Sequence, residues 1–240
     1  MTTILRQGKI SSASSDLEAD LNTSVVGEVR FDELSRQMYS TDASLYRIEP
    51  IGVVIPRDSS DVQAVLEIAG KNKVSVLPRG GGTGLSGQTV NHAIVLDFSK
   101  YMHEVKEINQ EERWVRTQPG VTIDDLNRQV RHTGLFFTPD PSTSSRANIG
   151  GAMGNNSCGA RSIIYGKTVD QVISMNVLLS DGSPTIFEQL SLGLLKSKLK
   201  SENLEGRIYN QVNEIARLSV EAVEERYPKI LRRVGGYNLD

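Results

Sequence analysis

The stretch Leu77-Pro78-Arg79-Gly80-Gly81-Gly82-Thr83-Gly84-Leu85-Ser86-Gly87-Gln88 decides how the rest of the chain is read. Five of the eight residues from 80 to 87 are glycine, a density found where the backbone must turn through positive φ or approach something closely. Gly82 to Gly87 satisfies the dinucleotide spacing G-x-G-x-x-G, but a Rossmann loop should open a helix whose N-terminus holds a pyrophosphate. Here Gln88 to Ala93 leads instead into AIVLDF (93–98), which reads as a strand. The stretch therefore predicts a run of bare backbone N–H groups able to nest an anion, with the Thr83 and Ser86 hydroxyls as extra donors. A tight irregular turn without a ligand is the competing reading.

Upstream, GVVIP (52–56) and VSVLP (74–78) read as strands on either side of an amphipathic helix that Asp58 to Asp61 would cap and that carries Val62, Val65, Leu66 and Ala69. This is a parallel β-α-β unit with the glycine loop at the carboxyl end of its second strand, a usual place for ligands. Residues 1–45 read as a polar lead-in with helical tendency at Asp16–Leu21 and Phe31–Met38. Downstream, HEVKEI (103–108) and RWVRTQ (113–118) form a hairpin around NQEE. Thr122 with Asp125 opens a helix with capping-box character that Gly134 stops, and Asp181-Gly182 marks a second hairpin. Residues 191–226 are helical by pattern. Strands and helices both alternate and segregate, so the expected class is α+β.

A second donor-rich stretch runs from Pro139 to Gly166, where five more glycines fall between Gly150 and Gly166. Pro139, Asp140 and Pro141 fix an extended approach, and Asn155, Asn156 and Ser157 offer groups for a polar ring edge or a phosphate. Two such loops some seventy residues apart suggest a ligand long enough to touch both, such as a dinucleotide; the alternative is a turn capped by its own Asn and Ser.

Composition narrows the classes. With 38% hydrophobic and 23% charged residues the chain is ordinary globular protein, and no apolar run nears the roughly 20 residues of a membrane span. Arg6, Gln7 and Lys9 interrupt any signal-peptide core. The 27 basic and 29 acidic residues leave no cationic excess for nucleic acid. Cys158, the single cysteine, can complete neither a disulfide nor a cysteine-bound cluster. His92, His103 and His132 lack metal-ligand spacing. A cytoplasmic setting and no bound metal are expected.

The ordered set VVIPRDSSDV, LPRGGGTGLSGQ, VRTQPGVTIDDLN, TPDPSTSSRANIGGAMGNNSCGARSIIYGKTVD and VLLSDG resembles the FAD-binding domain of the vanillyl-alcohol oxidase and p-cresol methylhydroxylase (VAO/PCMH) type. Within it, the likeness is to FAD-linked 2-hydroxy-acid dehydrogenases such as D-lactate dehydrogenase and the glycolate oxidase flavin subunit. YSTDASLYRIEPIGVVIP also resembles large proteins in which this domain is fused to an iron-sulfur part. The resemblance implies two α/β lobes, with the FAD-binding domain at 46–226 and 227–240 starting a connection to a C-terminal substrate domain.

For the site, the resemblance implies that Arg79, Gly80, Gly81, Gly82, Thr83, Gly84 and Ser86 cradle the FAD pyrophosphate. It places Pro139, Asp140, Ser142 and Thr143 on the flavin side. Gly150, Gly151, Asn155, Ser157, Gly159 and Gly166 complete the cleft, and Val172 or Ile173 meets the adenine by backbone. Covalent members carry His where this chain has Thr83, so FAD is expected to be non-covalent. A small 2-hydroxy acid would be handled by the further domain, any iron-sulfur cluster would lie in a C-terminal part, and an electron-transfer partner would follow from such chemistry. The other readings are a non-catalytic nucleotide-binding module and an NAD-type Rossmann domain.

Overall fold

The computed structural model describes residues 12–230, 233 and 239; residues 1–11 of the lead-in and most of the expected connection at 227–240 lie outside the described residues. The chain divides into two compact units, Met1–Met102 and His103–Asp240.

In the first unit, Gly52–Ile55 (β2) and Ile94–Asp97 (β4) are buried along their whole length, as strands covered on both faces must be. Val76–Arg79 (β3) carries Pro78, which has no N–H to give a second neighbour and so belongs at an edge. Glu28–Arg30 (β1) pairs antiparallel with β2, β4 is parallel to both β2 and β3, and the order that results is β1-β2-β4-β3. The expected β-α-β unit is thus parallel, but its two strands are not neighbours. β4, returning after the glycine loop, takes the place between them because its Ile94, Val95 and Leu96 can be buried on both sides and Pro78 cannot sit centrally.

Ser59–Asn72 (α3) starts where Asp58 accepts the N–H groups of Ser60 and Asp61, and it buries Val62, Val65, Ile68 and Ala69. It ends at Lys73 in the left-handed conformation, with φ 54°. Ser12–Ser24 (α1) packs on α3 through buried Leu17 and Leu21. The Asp61 carboxylate accepts three backbone N–H groups, from Val26 at 2.7 Å, Gly27 at 2.9 Å and Arg57 at 2.8 Å. The lead-in therefore contributes a strand and a packed helix to this unit, and its Val26 and Gly27 are anchored on buried Asp61 of α3; Glu33–Met38 (α2) follows β1.

In the second unit, Val105–Asn109 (β5) and Trp114–Thr117 (β6) form the expected hairpin. Ile123–Val130 (α4) buries Ile123, Leu126 and Val130 against Val121, Ile149 and Ala152. Its cap is half of a capping box. Thr122 accepts the Asp125 N–H, but the Asp125 carboxylate accepts a hydrogen bond from the Thr122 hydroxyl, at 2.8 Å, rather than from a backbone N–H. Ile149–Gly154 (α5), Ser162–Tyr165 (α6) and a 3-10 turn at Thr168–Gln171 follow.

Ser174–Leu178 (β7) and Pro184–Glu188 (β8) pair across a three-residue loop, Ser180 to Gly182, in which Gly182 supplies φ 83°. Leu192–Leu199 (α7) and Leu204–Arg226 (α8) complete the unit. Among the described residues no helix is long and apolar enough to cross a membrane.

Candidate functional site

The first unit presents its glycine loop as the crossover from β3 to β4. No helix follows Gly87, so the dinucleotide spacing is not a Rossmann loop. Gly82 is buried with φ 64°, and its carbonyl accepts the Ala43 N–H at 3.0 Å. Gly87 has φ 78°, and a Cβ there would stand 2.5 Å from the Tyr46 ring. Gly80, Thr83 and Gly84 are partly exposed, and Gly81 and Ser86 are exposed. The Ser86 N–H donates to the Gln88 side chain at 3.0 Å. Among the described residues the backbone N–H groups of Gly82, Thr83 and Gly84 donate to no protein acceptor. Consecutive N–H groups beside glycines fit a pyrophosphate, which needs several convergent donors and close approach to the backbone.

Arg79 departs from expectation. Its side chain does not stand free for a phosphate: Nη1 donates to the carbonyls of Tyr39 at 3.1 Å and Thr89 at 3.0 Å, and Nη2 to that of Thr41 at 2.7 Å. Burial pushes the guanidinium below its ordinary value while Asp42, Tyr39 and Asp97 push it back up, and it remains a cation. The Tyr39 hydroxyl donates to Asp97 at 2.5 Å; burial first, then that carboxylate, raises the phenol. Tyr39, Thr41, Asp42 and Thr89 were all missed by reading the loop alone. The signal available was the polar run Ser40-Thr41-Asp42 directly after an aromatic residue.

In the second unit the expected residues fall into two kinds. Three glycines are explained by the protein's own packing. A Cβ on Gly159 would lie 1.9 Å from the Asp140 carbonyl oxygen, one on Gly150 2.7 Å from the Pro119 side chain, and one on Gly166, at φ 82°, 2.5 Å from the Asp170 carboxylate. Gly151 faces open space.

Pro139 is buried, and Asp140, at φ 30°, bonds the Arg161 Nε at 3.2 Å while its carbonyl accepts the Ala160 N–H. Ser142 and Thr143 are exposed on the turn whose Thr143 carbonyl accepts from Arg146 and Ala147. The Ser157 carbonyl accepts both the N–H and the hydroxyl of Thr168. Asn155 is exposed beside α5, and Val172 and Ile173 leave the 3-10 turn with Ile173 exposed. Asn156, which the donor-rich stretch offers but the family resemblance does not assign, is buried at φ 46°; its Oδ1 accepts the Val169 N–H at 3.0 Å, and its Nδ2 has no partner among the described residues. No group of metal-ligating side chains occurs among the described residues.

Comparison with known proteins adds the following. The sequence profile described as FAD binding domain matches residues 50–187. A D-2-hydroxyglutarate dehydrogenase of Pantoea ananatis is 38% identical over 216 residues, which is 89% of this chain and 21% of that protein. A glycolate oxidase subunit GlcD of Bacillus subtilis is 39% identical over 163 residues, 66% of this chain and 34% of that protein. Among solved structures, an alkyldihydroxyacetonephosphate synthase superposes with TM-score 0.67 at 20% identity over 86% of this chain and 39% of its own. A 4-ethylphenol oxidase from Gulosibacter chungangensis gives 0.63 at 22% identity over 76% and 36%. These likenesses carry the fold. The chain spans about a fifth of the length of the Pantoea ananatis and Escherichia coli D-2-hydroxyglutarate dehydrogenases it matches.

Proposed function

We propose, because this chain belongs to the FAD binding domain family, that it holds FAD non-covalently as the flavin-binding part of an oxidoreductase acting on a small 2-hydroxy acid. The observation that carries the cofactor is the run of unengaged N–H groups at Gly82, Thr83 and Gly84. The substrate class is supported by the names of the relatives that align with it, a D-2-hydroxyglutarate dehydrogenase and a glycolate oxidase subunit. Gly80 to Gly84 and Ser86 hold the pyrophosphate. Pro139, Asp140, Ser142 and Thr143 serve the flavin, Gly151, Asn155 and Ser157 line its surroundings, and the Val172 or Ile173 backbone meets the adenine.

FAD, when bound, accepts hydride from the carbon that bears the hydroxyl; the protein's share is to bind, orient and shield it. A cysteine-bound iron-sulfur cluster would belong to another part of such an enzyme, since Cys158 is the only cysteine here.

Thr83 stands where covalent members of the family carry His and offers no nucleophilic nitrogen. Acid precipitation of the FAD-loaded protein is therefore expected to leave the flavin in the supernatant. Flavin that stays with the denatured pellet refutes the non-covalent mode, and a chain that takes up no flavin refutes the cofactor assignment.

A further inference from the structure

We infer that Arg79 is a positioning residue: it fixes the glycine loop from beneath, by tying both loop ends to Tyr39–Ala43, and does not touch the cofactor. This rests on the FAD reading above and concerns how the pyrophosphate donors are held in place. Arg79 ends β3 at the loop's start, yet Nη1 reaches the Thr89 carbonyl at the loop's far end, 3.0 Å away. The same nitrogen and Nη2 hold the Tyr39 and Thr41 carbonyls. The guanidinium also stands 5.3 Å from the centre of the Tyr39 ring.

Two further bonds join the same partners. The Ala43 N–H donates to the Gly82 carbonyl at 3.0 Å, and the Thr89 hydroxyl donates to Asp42 at 2.7 Å. Gly82 lies directly over the guanidinium, for a Cβ there would meet Nη2 at 2.9 Å.

Three of its five N–H donors are spent on neutral carbonyls of three separate residues. That demands a rigid planar fork, which an ammonium at the end of a flexible stem cannot present. A loop with five glycines has much backbone freedom to lose, and holding it beforehand places that ordering cost in folding rather than in binding.

The test compares the 240-residue chain with its Arg79→Lys and Arg79→Ala variants. FAD titration by flavin fluorescence, the unfolding midpoint and hydrogen exchange of the apoprotein are the three readouts. Arg79→Lys keeps the cation and is expected to lose FAD affinity by about tenfold or more, without rescuing the Arg79→Ala defect. Exchange should quicken in peptides covering residues 39–43 and 80–89, with β2 and β4 still protected and the midpoint lowered, since the Tyr39, Thr41 and Thr89 carbonyls lose their donor.

Affinity within about twofold of the parent, or unchanged loop exchange, overturns the inference. If Arg79→Lys fails to fold, Thr89→Val, which removes only the hydroxyl bond to Asp42, is expected to weaken FAD roughly threefold and quicken the same peptides; no change in either overturns it equally. Should the parent chain take up no flavin, the FAD reading falls, and the exchange comparison alone decides the role of Arg79.

Discussion

Gly81 and Gly82 are adjacent, but a side chain means something different at each. Gly82 has φ 64° and lies on the Arg79 guanidinium, so any substitution there strains the backbone as well as the site. Gly81 is exposed and its φ lies outside the left-handed region, so a Cβ is added without that strain. Gly81→Asp is therefore the cleaner probe. A carboxylate within about 5 Å of a pyrophosphate costs on the order of 3 kcal/mol at intermediate dielectric, and FAD affinity should fall by about a hundredfold. The unfolding midpoint should hardly move. Normal flavin affinity in Gly81→Asp would put the phosphate site elsewhere.

What a sequence tells at this scale is uneven. The glycines were readable as a demand for bare backbone, since few other needs explain that density. For Arg79, adjacency in sequence carries no information on where a long side chain points, and its bonds to the Tyr39, Thr41 and Thr89 carbonyls could not be read from the loop. Likewise Gly150, Gly159 and Gly166 look like cofactor glycines in one dimension, and only their neighbours Pro119, Asp140 and Asp170 reveal the packing each must permit.

At the scale of elements, strand β1 is three residues long and is pinned by chemistry rather than by apolar burial. Glu28 pairs with Lys100 and Arg30 and accepts the Tyr101 hydroxyl at 2.6 Å. The Lys100 bond first, then Tyr101 and Arg30, draws its carboxyl from an ordinary 4.5 down to about 2. A carboxyl lowered on folding lends stability that is fully present above about pH 4.5 and is lost as pH falls toward about 2. Solvent reaches the cluster, so the loss is about 1 kcal/mol, well below what the full shift would give. Acid titration of the unfolding free energy should show this decline in the parent and a flatter profile in Glu28→Gln; identical profiles would remove Glu28 from the account.

The same strand was not legible beforehand, because Glu28-Val29-Arg30 is too short to show alternation. By contrast β2, α3, the β5–β6 hairpin and α4 were readable to within a residue or two. Each carries a cap, a turn or an apolar period of its own, whereas β1 exists only through partners distant in sequence.

For the whole molecule, turnover is the quantity to measure. Removing hydride from a 2-hydroxy acid needs a base within hydrogen-bond reach of the hydroxyl and cations for the carboxylate. His92 Nδ1 is engaged with the Glu49 carbonyl at 3.1 Å, His132 Nδ1 with that of Gln129 at 2.9 Å, and His103 is exposed beside β5. The FAD-loaded 240-residue chain is accordingly expected to reduce no artificial acceptor with D-lactate, glycolate or D-2-hydroxyglutarate above background. Steady dye reduction that disappears in His92→Ala would place a catalytic base in this chain. The family was legible from the ordered motifs. The division at Met102 was not, because no proline-rich or low-complexity stretch marks it and it falls between a strand and a hairpin.

The place of β4 between β2 and β3 also sets an order of events in time. β2 and β3 share no hydrogen bond with each other, so neither parallel ladder can exist before residues 94–97 arrive. On a ribosome, which adds about 5 to 20 residues each second, α3 and both flanking strands are synthesised before the glycine loop and must wait for it and for β4. The glycine-rich segment is thus, during synthesis, the tether whose closure joins β3 to the rest of the sheet.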